Sequence, residues 1–342
     1  MEEGKMGRSP KRCRRRRRTR QYRCMIFVLM FLVVTAAGMG FMLKEKEAAQ
    51  ERREHQERQK EEADAKKQTD KAENEGDATV PGMSGRAITL EESIKEFGSN
   101  AIRQWSIAKP VRREWDEVLK RLEELAAEST DIEQICRNSS LYPEKLLEAL
   151  ANNPEMEYFV KCYPSFVGST AGELTEEEKQ QKVPLFLQWD FRWGYQWYGE
   201  DGVIGLTGCG PTCLSMVLYS LTRDESLTPD CIAKYAEENG YYIDGVGTAW
   251  SLMWDAPEHY GINVKQPRFT ESSMKQELND GHLIICSMGK GDFTTAGHFI
   301  VVYGYDEDGF LINDPNCIER SGKHWTFTQI EKQIKNLWSF WN

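Results

Sequence analysis

A mixed α+β domain at the C-terminal end, set behind a small helical domain, a charged stalk and one membrane-spanning helix, is the architecture this sequence predicts. Three observations predict it. Residues 25–43 form an unbroken run without charge. Residues 44–78 are nearly all Glu, Lys, Gln, Arg, Asp and Ala. From residue 183 onward a buried-helix pattern is followed by a series of strand patterns, the order in which an α+β domain is built.

The N-terminal elements follow from charge and length. The chain of 342 residues carries a formal net charge of −10, but residues 1–24 hold eleven Lys or Arg against two Glu. A tail of about +9 therefore precedes a body of about −19, and such asymmetry points to nucleic acid or to a membrane surface. The run that follows, MIFVLMFLVVTAAGMGFML, decides for the membrane. Nineteen helical residues rise roughly 28 Å, close to the hydrocarbon thickness of a bilayer. A cleavable signal peptide has a shorter apolar stretch ending in small residues. Here Ala36-Ala37-Gly38 lie inside the run, which continues through Phe41, Met42 and Leu43. Arg12 and Arg14 to Arg18 just before it place the N-terminus in the cytoplasm and everything beyond residue 43 outside the cell. The basic tail then faces anionic lipid head groups rather than nucleic acid. Two of nine cysteines, Cys13 and Cys24, precede or abut the span. The odd number left outside permits disulfides with one thiol spared for chemistry; no pairing is assigned.

Beyond the span, residues 44–87 offer no apolar face and read as a solvated stalk and linker, broken at Val80-Pro81-Gly82. Residues 88–166 form the small helical domain. Thr89 and Glu92 have capping-box spacing. Trp115, Val118, Leu119, Leu122 and Leu125 mark one helical face, and a further helix runs from Pro143 to a stop at Asn152-Asn153-Pro154. Nothing in this stretch has the composition of a reaction centre. It reads as a spacer or docking module, with Met156, Tyr158 and Phe159 as core. Residues 167–182 are polar and acidic and read as a linker. In 183–342, Pro211 to Leu221 and Pro229 to Asn239 read as helices. Leu283–Cys286, Phe299–Tyr303 and Phe310–Ile312 read as strands.

Chemistry concentrates in four short segments. In Thr207-Gly208-Cys209-Gly210-Pro211-Thr212-Cys213, a proline suited to the first position of a helix places Cys209 at the helix N-terminus. The unpaired N–H groups there favour a thiolate, the nucleophilic form. The two flanking glycines leave room for a substrate backbone, and Cys213, one turn on, reads as core. His298 opens an apolar strand behind Gly297; its bland reading is a hydrogen-bonded core histidine. Asp314, in Asn313-Asp314-Pro315-Asn316, follows a hairpin bend at Asp306–Gly309 that returns it toward His298. The offset of that bend calls for a bulge. Asp314 would accept the Nδ1 proton of His298 and hold the tautomer a base needs. Gln188, about twenty residues before Cys209, is the side-chain candidate for an oxyanion donor, with the Cys209 N–H as the other. Trp189, Trp193, Tyr195, Trp197 and Tyr198 read as packing or as walls of a substrate groove.

The order of these segments, Gln188-Trp189-Asp190-x-Arg192-Trp193-Gly194, then Gly208-Cys209-Gly210-Pro211-Thr212-Cys213, then Gly297-His298-Phe299, then Asn313-Asp314-Pro315-Asn316, resembles the C39-like peptidases of the papain-like superfamily, over essentially all of residues 183–342. The resemblance implies a papain-like cysteine peptidase domain in a membrane-anchored bacterial protein. It implies Cys209 as nucleophile, His298 as general base and acid, Asp314 as orienter and Gln188 in the oxyanion hole. The segment around Leu141-Tyr142-Pro143 is similar to a short domain that precedes such peptidases in some Gram-positive bacteria. Members that clip double-glycine leaders are fused to ABC transporters and act on the cytoplasmic side. This chain has neither the transporter nor that orientation, so leader processing is not the expectation.

The function expected is thiol acyl transfer to water on a peptide or isopeptide substrate outside the membrane. Two alternatives stay open: a cell-wall amidase cutting peptidoglycan stem peptides with the same residues, and an anchored binding module with a vestigial triad. No cofactor is expected, and no metal, because the cysteines and histidines lack zinc-site spacing.

Overall fold

The computed structural model describes residues 89–99, 103–200 and 202–342, all within the unit Thr79–Asn342. The basic tail, the membrane span expected at 25–43 and the stalk before residue 88 lie outside these residues. Among the described residues no helix is long and apolar enough to cross a membrane.

The sheet that organises the domain has six antiparallel strands. They are β3 (Asn263–Lys265), β4 (Leu283–Gly289), β5 (Gly297–Tyr305), β6 (Phe310–Asn313), β7 (His324–Trp325) and β8 (Ile334–Trp341), in the order β3-β8-β4-β5-β6-β7. A separate two-stranded ribbon pairs β1 (Tyr242–Ile243) with β2 (Gly247–Thr248). Strand β4 is buried along its whole length, because both of its faces are covered. Leu283 and Ile285, with Phe299, Val301, Trp338 and Phe340, pack against the helix Cys209–Thr222. Ile284, Cys286 and Met288, with Ile300, Val302 and Ile312, pack against Met274, Trp325 and Ile330. The two-residue period of side-chain direction along a strand makes this split.

The N-terminal helices are Leu90–Ser99, Trp115–Ala126, Thr130–Arg137, Glu144–Asn152 and Glu157–Phe166. Thr89 and Glu92 form both hydrogen bonds of the capping box, Glu92 Oε2 accepting the Thr89 N–H at 3.0 Å and Thr89 Oγ1 accepting the Glu92 N–H at 3.2 Å. The interior of this helical segment does not close on itself. Leu146, Leu150, Met156, Phe159 and Val160 share one core with Trp189, Phe191, Tyr195 and Val203 from the C-terminal part. Phe159 stacks on Tyr195 with ring centroids 4.4 Å apart, and a methyl group on Gly205 would lie 2.5 Å from the Phe159 ring. Five of the six aromatic residues between 189 and 198 are fully buried, and Trp197 alone of them is 49 % exposed. The stretch 167–182 contains the capped helix Glu176–Gln180 and is tied down by Ala171 and Gly172 N–H groups donating to the Arg192 carbonyl.

Candidate active site

The helix Cys209–Thr222 begins at Cys209 itself, two residues before the start predicted from Pro211. Pro211 occupies the third helical position, where a missing N–H is equally harmless because first-turn N–H groups have no intrahelical acceptor. The two glycines around Cys209 are explained by packing rather than by room for substrate. A Cβ on Gly208 would lie 2.7 Å from the Ile204 carbonyl oxygen, and one on Gly210 would lie 2.8 Å from the Thr248 side chain. Glycine thus lets the preceding turn and the β1–β2 ribbon close tightly around the helix start. Cys209 is partly exposed, whereas Cys213 is buried, as its place in the motif suggested.

His298, second residue of β5, is brought between Cys209 and Asp314. Its Nε2 lies 2.7 Å from Asp314 Oδ1, and the Cys209 side chain is near enough to act on its pKa. The ring is therefore turned the other way from the sequence expectation: Nε2, not Nδ1, faces the carboxylate, leaving Nδ1 as the nitrogen for the thiol. Which ring edge faces which partner depends on a side-chain torsion that sequence spacing leaves free. The bulge called for in the β5–β6 hairpin is present, as a register shift between Val302 and Gly304.

Asp314, fully buried, is fixed at every oxygen. Its Oδ1 also accepts the Asn316 N–H at 2.8 Å. Its Oδ2 meets Nη1 of Arg320 at 3.2 Å, a residue that is itself 3 % exposed. Burial acts to raise the Asp314 pKa, but Arg320 and His298 outweigh it and hold the carboxyl below its ordinary range. Burial likewise acts to lower the His298 pKa; the Asp314 carboxylate and Cys209 overcome it and raise the imidazole to about 9. The sign for stability follows from linkage. The folded state holds this proton more tightly than an unfolded histidine with a pKa of 6.5. Its contribution is complete below about pH 6.5 and is lost as pH rises through about 9. The Tm difference between wild type and His298→Gln should shrink across that window. A difference that stays constant with pH would mean that Asp314 does not hold a proton on His298.

Gln188 sits beside the helix start. Its Nε2 donates to the Gly205 carbonyl at 2.9 Å, four residues before Cys209, and its backbone N–H donates to the Pro315 carbonyl at 2.7 Å. An amide nitrogen carries two hydrogens, and one of those on Nε2 is used at Gly205. Cys209, first in its helix, contributes a backbone N–H with no intrahelical acceptor. The segment carrying Gln188 is made rigid by Arg192, which pairs with Asp190 at 2.7 Å and with Glu178 at 2.6 Å and lies 4.2 Å from the Trp193 ring centroid. The charged residues of that motif are thus accounted for structurally. All four residues singled out in the sequence converge on one place. Arg320 was not anticipated. Its only trace in the sequence is a lone arginine six residues after Asp314, and nothing local distinguishes it from a surface charge.

At the far end of the β5–β6 hairpin, the exposed Asp306, Asp308 and His324 have ligand atoms within 4.8 Å of one another. There His324 Nε2 bonds Asp306 Oδ2 at 2.8 Å.

The part of the chain that carries this site resembles known proteins. Residues 180–341 match the model of the Peptidase_C39 like family. Two solved structures are similar to part of the chain, each at 18 % sequence identity. One is the peptidase domain of Streptococcus ComA, described as a bi-functional ABC transporter involved in a quorum sensing pathway; the match covers 40 % of this chain and 90 % of that one, with a TM-score of 0.31. The other is a C39-like peptidase from Bacillus anthracis, covering 47 % of this chain and 94 % of that one, with a TM-score of 0.28. None of the curated proteins matches. The match over residues 180–341 is to a family of peptidase-type hydrolases and supports a C39-like peptidase domain in this part of the chain.

Proposed function

We propose that this chain is a membrane-anchored cysteine peptidase whose catalytic part, 183–342, works outside the membrane. One observation carries the chemistry: a single buried imidazole, His298, joins a thiol at a helix start to a carboxylate that is held ionised. His298 draws the proton from Cys209, and the helix N-terminus and the imidazolium stabilise the thiolate. The thiolate attacks a peptide or isopeptide carbonyl. The resulting oxyanion is met by Gln188 Nε2 and the Cys209 N–H. The imidazolium then protonates the leaving amine, the bond to it breaks, and a thioester remains. Water, deprotonated by His298, releases the acid and restores the thiol. Asp314 orients the ring throughout and offsets its positive charge.

Gln188→Ala should lower kcat by about 10²–10³-fold, the usual consequence of losing one oxyanion donor, with KM little changed. Turnover at the wild-type level under saturating substrate would remove Gln188 from the site. Tests on peptide libraries and on peptidoglycan stem peptides separate a protein substrate from a cell-wall one. Failure of any electrophile to label Cys209 would leave only the reading as a binding module.

The anchored topology rests on residues 1–43. The basic tail lies on the cytoplasmic face against anionic lipid, the span follows, and the rest is extracellular. Protease treatment of intact cells should release the C-terminal domain. Protection until lysis would reverse the orientation.

A further inference from the structure

The loop that carries Asp314 is held from three directions. From within the loop, the Asp314 N–H donates to Ser321 Oγ at 2.8 Å. From the Gln188 segment, the Gln188 N–H reaches the Pro315 carbonyl, and Trp189 Nε1 donates to the Asn316 carbonyl at 3.0 Å. The third hold comes from the helical segment, across 163 residues of sequence. Asn153 Nδ2 donates to the same Asn316 carbonyl. The Glu155 carboxylate accepts the Ile318 N–H at 2.8 Å and the Glu319 N–H at 2.9 Å. Asn153 and Glu155 are 1 % and 6 % exposed, and Asn153 Oδ1 in turn accepts the Glu155 N–H at 3.2 Å.

Glu155 thus grips the short helix Ile318–Ser321, of which Arg320 is the third residue, and Asn153 holds the Asn316 carbonyl just before it. Arg320 Nη1 is the group that meets Asp314 Oδ2, while Arg320 Nε is buried with no hydrogen-bond partner. The guanidinium is thus not locked by a full set of side-chain bonds, and its position depends on where the backbone of that helix sits. Glu155 fixes that backbone at its first two N–H groups. A buried carboxylate is costly unless hydrogen bonds compensate it, and here the compensation comes from the loop beside the reacting groups.

We propose that Asn153 and Glu155 are positioning residues for Asp314: a clamp from the helical segment that sets, through the Ile318–Ser321 backbone and Arg320, the place of the carboxylate behind His298. The helical segment is on this account a working part of the reaction centre and not a spacer. The proposal rests on the reading of Asp314 as the group that orients His298.

The test is made on the full chain with Glu155→Ala, Glu155→Gln and Asn153→Ala. Displacing Asp314 by a fraction of an ångström to 1 Å should lower kcat by about 10- to 10²-fold and leave KM within about twofold, because neither residue meets substrate. Glu155→Gln keeps one acceptor oxygen but turns an NH2 group toward the second backbone N–H, so it should recover only part of the loss and keep a lowered His298 midpoint. The second readout is the titration of the His298 ring, followed by NMR as the histidine signal that disappears in His298→Gln. The charged groups that set this titration are Asp314 and Cys209. The midpoint should fall toward the ordinary value of about 6.5 in Glu155→Ala and by less in Asn153→Ala. A Glu155→Ala chain that loses thermal stability yet keeps the wild-type kcat and His298 midpoint overturns the proposal. Should that variant not fold, a wild-type midpoint in both Glu155→Gln and Asn153→Ala overturns it as well. If wild type shows neither turnover nor labelling at Cys209, the peptidase reading fails. The His298 titration in the variants still decides the clamp.

Discussion

Cys209→Ala should abolish turnover, by about 10⁴-fold or more, and block labelling by a thiol electrophile, while thermal stability should stay near that of the wild type. Cys213→Ser does the reverse: labelling at Cys209 persists and about 1–3 kcal/mol of stability is lost. These are the outcomes expected for two thiols one turn apart on the same helix. Cys209 is partly exposed, stands first in the helix and lies near enough to His298 to act on its pKa. Cys213 is fully buried, and burial first, with Cys209, Asp314 and Cys286 adding to it, drives its pKa well above that of a free thiol. It is kept neutral and out of reach. A serine there would place a hydroxyl in an apolar site. Mass spectrometry of the labelled protein and thermal unfolding of both variants check the pair. His298→Ala should also slow labelling of Cys209, by removing the partner that stabilises the thiolate. Modification of Cys213 in the wild-type chain would overturn the assignment.

The parts of the site legible in the sequence are those whose signal is local. Gly-Cys-Gly-Pro marks a helix start, Gly-His before an apolar run marks a strand start, and Asp-Pro-Asn marks the end of a hairpin. Strands β4, β5 and β6 were readable for the same reason. Strand β8 was not, although it lies between β3 and β4 in the sheet. Lys335 and Asn336 near its start and Ser339 within it break the apolar pattern. Ser339 is fully buried yet polar because its hydroxyl donates to Glu277 at 2.8 Å. Arg320 and Glu155 were invisible for a related reason. A buried charge looks like a surface charge until its partner is known, and the partners of Glu155 lie more than 160 residues away. The ring orientation of His298 illustrates a different limit. Spacing brought histidine and aspartate together, while the nitrogen that meets the carboxylate follows from side-chain geometry.

A chain shortened to residues 183–342, which covers nearly all of the family match, should fail to fold, even though it contains every residue assigned to the chemistry. The reason is the core shared across the sequence boundary. Trp189, Phe191, Tyr195 and Val203 are fully buried against Leu146, Phe159 and their neighbours. Exposing four such side chains forfeits roughly 6–12 kcal/mol at about 1.5–3 kcal/mol each, as much as the roughly 5–15 kcal/mol that separates folded from unfolded in a typical domain. The same core reaches the reaction centre. The Phe159 ring lies against Gly205, whose carbonyl holds Gln188 Nε2, and the Phe159 carbonyl accepts the Tyr195 hydroxyl at 2.9 Å. Residues 89–342 should therefore unfold in one cooperative transition, and Phe159→Ala should lower that whole transition by about 3–5 kcal/mol. The short fragment should bind a hydrophobic dye, lack near-ultraviolet circular dichroism from its tryptophans and leave Cys209 no more reactive than an unfolded thiol. A soluble 183–342 fragment with wild-type turnover would show that the helical segment is dispensable. In that case the buried aromatic face would have to be covered by some rearrangement of the remaining chain.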